Sequence, residues 1–524
     1  MGIALNRYLC MMKIHVATQT MTETAPCIDK IASAVRECDL RSITCVPGYP
    51  ITELAELLIA EAGAKWCINE KVALEIALGA SASGSRSMVI VKHVGMNLLS
   101  DPLITASTHR IGAGTVIIAG DDPMAVASQN EQDSRYWGLI AEVPVLDPNP
   151  INLHDAIFEA YHISETVRTP VIVRVTDRVL GSGCMEGKAQ TLNMPEPFDR
   201  SIWEYSMHGR HQLFHRDTYP LIEDLSERSH LNRYQEGGRS GDGQVCIISS
   251  GYASTVVASV MRQKGIEMPH ISLSFVNPLP LKRIADLIGD RRVLVVEETE
   301  PVIEGQLGTG TCNVLGRRSG HLPYGGLTEE DILFAIENLD KNEIDLDTIP
   351  ETLKNRGYSR DICDDCPFRP VYEAVRAIKK SDGTRMMIAG DMGCSIRTAP
   401  TGIVDVAYAL GGAVGVASGM PAKSIAIIGD FGLVHSGLQA LIDAEFNQRD
   451  VLVIVLANRV SAMTGGQKVP DPERIVRACC NDVVVIDETA GGQAIEQLIR
   501  ERLSARGVSV IVARGECRKD LGVL

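Results

Sequence analysis

The sequence predicts an α/β protein of two doubly wound parallel-sheet domains with a smaller α/β domain between them, and three observations carry that prediction. Short runs rich in Val, Ile and Ala alternate with segments of helical spacing along most of the 524 residues. Apolar residues make up 45% and aromatic ones only 4%, beside 47 glycines, a balance that suits layers of sheet and helix. Two polar stretches interrupt the alternation and divide the chain into parts that are each large enough to bury a core.

Residues 1–20 read as an N-terminal tail, too short and too broken by polar residues for a secretory signal. The first domain is expected over 21–190, where SMVIVKH, GTVIIAG, VPVLDP and TPVIVRVTD are strands separated by amphipathic segments. A His- and Arg-rich stretch over 191–243 is expected to be a linker with one helix. The middle domain spans 244–345, with GQVCIISSGYAS as strand and glycine turn and SLSFVNPLP and RRVLVVEETEP as further strands. A polar, helix-breaking linker over 346–362 leads to the last domain, 363–524, through MMIAGD, SIAIIGD, VLVIVLAN, DVVVID and VSVIVARGE. The first and last domains share a size and a layout, which suits two related domains facing each other.

The net charge of -15 argues against a nucleic-acid partner, because phosphate backbones are bound through surplus Lys and Arg. No apolar stretch approaches the roughly 20 residues of a membrane span, so no membrane association is expected. Fourteen cysteines without a regular framework read as reduced, mostly buried thiols, and the expected location is the cytoplasm.

The segment richest in chemistry is Gly429-Asp430-Phe431, followed 28 positions after the aspartate by Asn458. Both oxygen-bearing side chains stand at the carboxyl ends of predicted strands. Parallel strands share that edge, so carboxylate and carboxamide can converge there on a small, hard cation. A plain βαβ unit also produces this pattern. Glu70, in Cys67-Ile68-Asn69-Glu70, opens an Ala- and Gly-rich helix, where it is either a functional carboxylate or a charge favoured by the helix dipole. Glu75, five residues on, is read as structural.

Lys92-His93 ends a buried strand and could meet an anionic substrate, although a lone His is more often structural. The polar run Ser128 to Arg135 reads equally as a solvated loop or a subunit contact. Gly390-Asp391-Met392-Gly393-Cys394 ends another strand, and Ala409 to Gly415 is expected to open a glycine-rich helix whose backbone comes close to a ligand.

Several long segments occur together and in order: VPGYPITEL with Gly48, INEKVALEIALGAS, VKHVGMNLLSDPL, DDPMAVASQNEQDSR, VEETEPVIE, CDDCPFR, GDMGC, GDFGLVHSG and ANRVSAMTGGQ. Through them the chain, from about Glu23 to Gly515, resembles the large, thiamine-binding subunits of the indolepyruvate:ferredoxin oxidoreductases, within the 2-oxoacid:ferredoxin oxidoreductase family. The resemblance implies a thiamine-diphosphate-binding fold with a pyrimidine-binding domain first, a transketolase C-terminal-like domain in the middle and a diphosphate-binding domain last. It also implies the cofactors thiamine diphosphate and Mg²⁺. Asp430, Asn458 and the backbone carbonyl of Val460 would hold the metal. Gly48, Gly393, Cys394, Leu410, Gly411, Gly429 and Phe431 would contact the cofactor, with Leu410 wedged between its two rings, a position that ordinary packing also explains. Glu70 would be the catalytic glutamate that bonds the pyrimidine and promotes proton exchange at the thiazolium. Lys92 and His93 are the candidates for the substrate.

The implied reaction is oxidative decarboxylation of an aryl 2-oxoacid to an acyl-coenzyme A, with electrons passed to ferredoxin and a smaller second subunit assisting. The cofactor of such folds usually lies between domains of different subunits, so a homodimer or hetero-oligomer is implied. The chain departs from its family in three places. The family's C-terminal ferredoxin-like domain with its two clusters is not found before Leu524, and Cys363 to Cys366 is the one Cys-x-x-Cys pair, so no iron-sulfur cluster is expected in this chain. Around that pair, Asp364, Asp365 and Phe368 replace the family's Pro, Gly and His. Ala457 replaces an aspartate before Asn458. Electrons would then leave through a separate iron-sulfur subunit or ferredoxin. The alternative is a non-oxidative 2-oxoacid decarboxylase or carboligase, and a third reading is a catalytically weakened paralogue.

Overall fold

The computed structural model describes residues 25–185, 187, 191–237, 244–308, 313–340, 362–381 and 386–518. The expected tail over 1–20 and nearly all of the expected linker over 346–362 lie outside the described residues.

In the first third of the chain the strands are β1 (Ser42–Cys45), β2 (Lys65–Trp66), β3 (Ser87–Lys92), β4 (Thr115–Asp121), β5 (Val145–Leu146) and β6 (Val171–Thr176). Then follow β7 (Arg233–Gln235), β8 (Val245–Ser250), β9 (His270–Leu273), β10 (Phe275–Asn277), β11 (Arg292–Val296) and β12 (Val314–Leu315). The last sheet holds β13 (Ile388–Gly390), β14 (Ser424–Gly429), β15 (Val451–Ala457), β16 (Val483–Ile486) and β17 (Val508–Arg514). The first sheet runs β10-β5-β6-β4-β3-β1-β2, the second β12-β11-β8-β9-β7 and the third β13-β14-β15-β17-β16. The third is parallel throughout, and the first is parallel except for β10. The central strands β4, β6 and β15 are buried along their whole length, which is why they read as unbroken apolar runs.

Two expected elements take a different form. SLSFVNPLP is not one strand: the chain leaves the second sheet after β9 and enters the first as β10, antiparallel to β5. The crossing is held at Ser274, whose carbonyl accepts the Asp147 N–H over 2.7 Å and whose own N–H donates to Asn232 over 2.8 Å. The stretch 191–243, expected as a linker with one helix, does hold a continuous helical run over 207–228, with a π-helical turn at Phe214–Thr218, but it also supplies β7 to the second sheet.

The polar run Ser128 to Arg135 is only partly solvated. Its first part is largely exposed, but Asp133, Ser134 and Arg135 are buried against the second domain. The Arg135 guanidinium donates to Asp133 and to the carbonyls of Glu298 and Glu300, and its Nη1 lies 2.8 Å from Glu297. Arg174 pairs with Asp121 and Asp147 alongside. A buried charge persists only when opposite charges and carbonyls surround it, so this cluster fixes the first two domains to one geometry. Asp133 is held well below the usual carboxylate range, its burial outweighed by Arg135 and Arg174.

The expectation of reduced thiols is corrected at one pair. Cys27 and Cys184 form a disulfide, because Ala25 and Pro26 pair antiparallel with Cys184 and Gly183 and bring the two Cα atoms to 4.8 Å. The other ten described cysteines are free. Among the described residues no helix is long and apolar enough to cross a membrane.

Candidate active site

The register Gly429↔Leu456 between β14 and β15 puts Asp430 and Asn458 just past the same sheet edge. Asp430 is 1% exposed; its Oδ1 accepts the Phe431 N–H over 2.8 Å and its Oδ2 the Arg459 N–H over 2.6 Å. The left-handed turn at Arg459, φ 63°, folds the chain back so that the Asn458 Oδ1 accepts the Val460 N–H over 3.1 Å. Burial pushes the Asp430 carboxyl up to about 6, the backbone amides pulling the other way. Among the described residues no basic side chain pairs with it. A buried carboxylate without a cationic partner, beside a carboxamide and a backbone carbonyl, is an all-oxygen donor set that fits a hard divalent cation.

Next to this edge the backbone is cramped. Gly411, φ 80°, could carry no side chain, since a Cβ there would lie 2.2 Å from the Ser436 Oγ. Its N–H donates to Asp391, and a Cβ on Gly432 would meet the Asp391 carboxylate at 2.0 Å. Asp391 is a residue that sequence reasoning named at a strand end but gave no role, although it follows its strand in the same Gly-Asp pattern as Asp430. Burial, only partly opposed by the amides of Gly411 and Met392, pushes its carboxyl up to about 7. The expected helix from Ala409 starts only at Ala413; Ala409 to Gly412 is a turn that holds Leu410 toward the cleft. Gly393, Cys394, Gly429 and Phe431 face the same cleft.

The opposite wall comes from the first domain. Glu70 opens α1 (Glu70–Ala82) behind the N-cap Asn69, whose Oδ1 accepts the Val72 N–H over 2.9 Å. Glu70 is 5% exposed, and a Cβ on Gly95 would collide with it at 2.6 Å. Its Oε2 lies 2.9 Å from Nε2 of His435, while the Asn69 Nδ2 donates to the His435 carbonyl over 2.8 Å. His435 sits in a π-helical turn, Leu433–Gly437, that follows the Asp430–Gly432 turn, a local form often found at functional sites. It stands in the segment GDFGLVHSG, but sequence reasoning gave it no role. The first and last domains of one chain therefore supply two facing walls.

Lys92 lines the cleft, and burial lowers its ammonium pKa against the pull of Glu70 and Asp122. Gly48 lies behind it, packed on the Lys92 stem. His93 is separated from the cleft: it is fully buried, with its ring nitrogens 3.3 Å from the Gly120 carbonyl and 3.1 Å from that of Asn130.

Cys363 and Cys366 do not stand alone. Cys394 and Cys517 line the same end of the cleft. Burial, then the nearby Cys366 and Cys517, pushes the Cys394 thiol up to about 11. This removes the premise that the pair lacks partners. The placement was hidden because 28 and 151 positions separate Cys366 from the other two. Among the described residues no three His, Cys, Asp or Glu side chains converge tightly enough for a single ion, so the thiols do not form a zinc site as placed. Four cysteine thiols are the donor set of an iron-sulfur cubane. Beside them Ile362, Phe368, Tyr372 and Met392 form an apolar wall. Asp365 lines the cleft, whereas Asp364 points to solvent.

Residues 389–513 match the family model of the C-terminal TPP binding domain of thiamine pyrophosphate enzymes. The chain is similar to the indolepyruvate oxidoreductase subunit IorA of Methanothermobacter thermautotrophicus, with 30% identity over 91% of this chain and 84% of the relative. It is 31% identical to the subunit of that name from Methanothermobacter marburgensis, over the same shares of the two chains. Of the solved structures, a 2-oxoglutarate:ferredoxin oxidoreductase from Magnetococcus marinus aligns with 64% of this chain and 70% of its own, with 14% identity and a TM-score of 0.47.

Proposed function

The chain belongs to the family of the indolepyruvate oxidoreductase IorA subunits, and from that premise we propose that it catalyses thiamine-diphosphate-dependent oxidative decarboxylation of an aryl 2-oxoacid such as indolepyruvate, forming an acyl-coenzyme A. The observation that carries the proposal is the single cleft between Glu70 on one wall and Asp430 with Asn458 on the other. Thiamine diphosphate supplies the sink for the electron pair freed when carbon dioxide leaves. Asp430, Asn458 and the Val460 carbonyl would hold Mg²⁺, and the turn at Leu410 and Gly411 gives a ligand close access to backbone. Glu70, shielded from water by Gly95 and α1, is the group to exchange a proton with the pyrimidine. The apolar wall of Ile362, Phe368 and Tyr372 suits an aryl side chain, and the Lys92 ammonium suits the carboxylate of the oxoacid.

The non-oxidative alternative has no use for four gathered thiols. Cys363, Cys366, Cys394 and Cys517 would hold an iron-sulfur cluster, which supplies one-electron transfer, and their position favours the oxidoreductase reading. A second subunit and a ferredoxin-type carrier would complete the system. The test is 2-oxoacid turnover with thiamine diphosphate and Mg²⁺, with and without coenzyme A and a viologen acceptor. Acyl-coenzyme A formed only when the acceptor is present is expected; aldehyde released with or without it would establish the decarboxylase instead.

A further inference from the structure

The hydrogen bonds around His435 fix where its protons sit. The Ser436 hydroxyl has one hydrogen and donates it to the Leu410 carbonyl over 2.6 Å. Toward Nδ1 of His435, 3.1 Å away, Ser436 can therefore offer only a lone pair, so Nδ1 carries a hydrogen. Nε2 faces the Glu70 Oε2 at 2.9 Å. A bare nitrogen against a bare carboxylate would set lone pair against lone pair. One proton must lie on that line, either on Nε2 beside a carboxylate or on Glu70 beside a neutral imidazole, and both forms carry the same net charge.

Resting on the thiamine reading of the cleft, we propose that Glu70 and His435 share a single proton across the domain boundary and that His435 is the positioning residue from which Glu70 draws that proton as the pyrimidine docks. The step balances without a co-reactant: the Nε2–H bond breaks, the Glu70 O–H bond forms, and the imidazole is left neutral with its hydrogen on Nδ1. Transfer back restores the starting pair. Asn69 holds the partners in register by gripping the His435 carbonyl, and the orientation of its amide is set by the Val72 N–H on its oxygen. The other ionisable groups acting on the pair are Lys92, which interacts with Glu70, and Asp391, which interacts with His435; Asp430 lies one turn earlier on the same segment.

The first measurement needs no cofactor. In protein labelled with ¹⁵N-histidine, long-range ¹H–¹⁵N spectra, with the His435 signals assigned by their loss in His435→Gln, should show a protonated Nδ1. Glu70→Gln should shift the Nε2 resonance and leave Nδ1 protonated, while Ser436→Ala should release the tautomer. A bare Nδ1 in the native protein overturns the proposal. The second measurement is calorimetry of thiamine diphosphate and Mg²⁺ binding in buffers of different ionisation enthalpy. Because His435 supplies the proton internally, His435→Gln should take up one more proton from buffer on binding than the native protein does, while binding persists; an identical proton count in that variant overturns the positioning role. A protonated Nδ1 in a protein that binds no thiamine diphosphate would overturn the cofactor reading and the role built on it, and would leave the proton-sharing pair standing.

Discussion

Asn69 and His435 are joined by one hydrogen bond across 366 positions of sequence: the side-chain nitrogen of an N-cap residue in the first domain donates to a backbone carbonyl in the last, over 2.8 Å. The same asparagine caps α1 through its oxygen. A local device of helix formation is thereby also a link between domains.

Asn69→Ala should remove both bonds. Loss of the cap alone costs about 1 kcal/mol. The expected outcome is a modest fall in stability in urea unfolding together with a clear weakening of thiamine diphosphate binding. Asn69→Ser, which can still cap the helix but cannot donate as far, should recover stability more than binding.

Asp430→Ala should abolish binding of thiamine diphosphate that depends on Mg²⁺. Its carboxylate is the one charged group among the three proposed metal donors, and its partners in the fold are backbone amides, those of Phe431 and Arg459 among them, rather than side chains. The variant should therefore fold. Fluorescence titration with cofactor at fixed Mg²⁺ checks it, and a native affinity would refute the ligand assignment.

Asp391 should give the cofactor-free protein a distinctive pH dependence. Its ordinary value is 3.8, and burial raises it to about 7 in the folded chain. A raised carboxyl favours folding when protonated, so this contribution is fully present below about pH 4 and is lost as the pH rises through 7. The shift corresponds to a change on the order of 4 kcal/mol. Urea unfolding of the native protein and Asp391→Asn at pH 5 and pH 8 should show a smaller fall with rising pH in the variant. Equal slopes would mean that the carboxyl is not held protonated.

Cys517→Ser should reduce iron incorporation as severely as Cys363→Ser, because both thiols line one end of the cleft despite the 154 positions that separate them. Iron and sulfide content after anaerobic reconstitution, with the absorbance and electron paramagnetic resonance of the product, checks this. The expected outcome for the native protein is four irons per chain, and for each variant a large loss. Native protein that takes up no iron would end the cluster assignment.

The alternation of apolar runs and helical segments determined the doubly wound sheets, because the centre of a parallel sheet must be apolar on both faces. It also fixed the edge at which Asp430 and Asn458 stand, since strand direction decides which ends are neighbours. Glu70 was legible as the opening residue of an Ala- and Gly-rich helix, and its expected role came from the resemblance. Other features depend on approach between segments that sequence distance does not encode. The π-helical turn that aims His435 at Glu70, the meeting of Cys394 and Cys517 with Cys363 and Cys366, the jump of one strand between sheets at Ser274 and the burial of Arg135 against the second domain were decided only by the tertiary structure. Hydrophobic periodicity reports which face of an element is buried; it does not report which other face it is buried against. The sequence by itself determined the fold and one member of each facing pair in the cleft, and the packing of domain against domain supplied the partners.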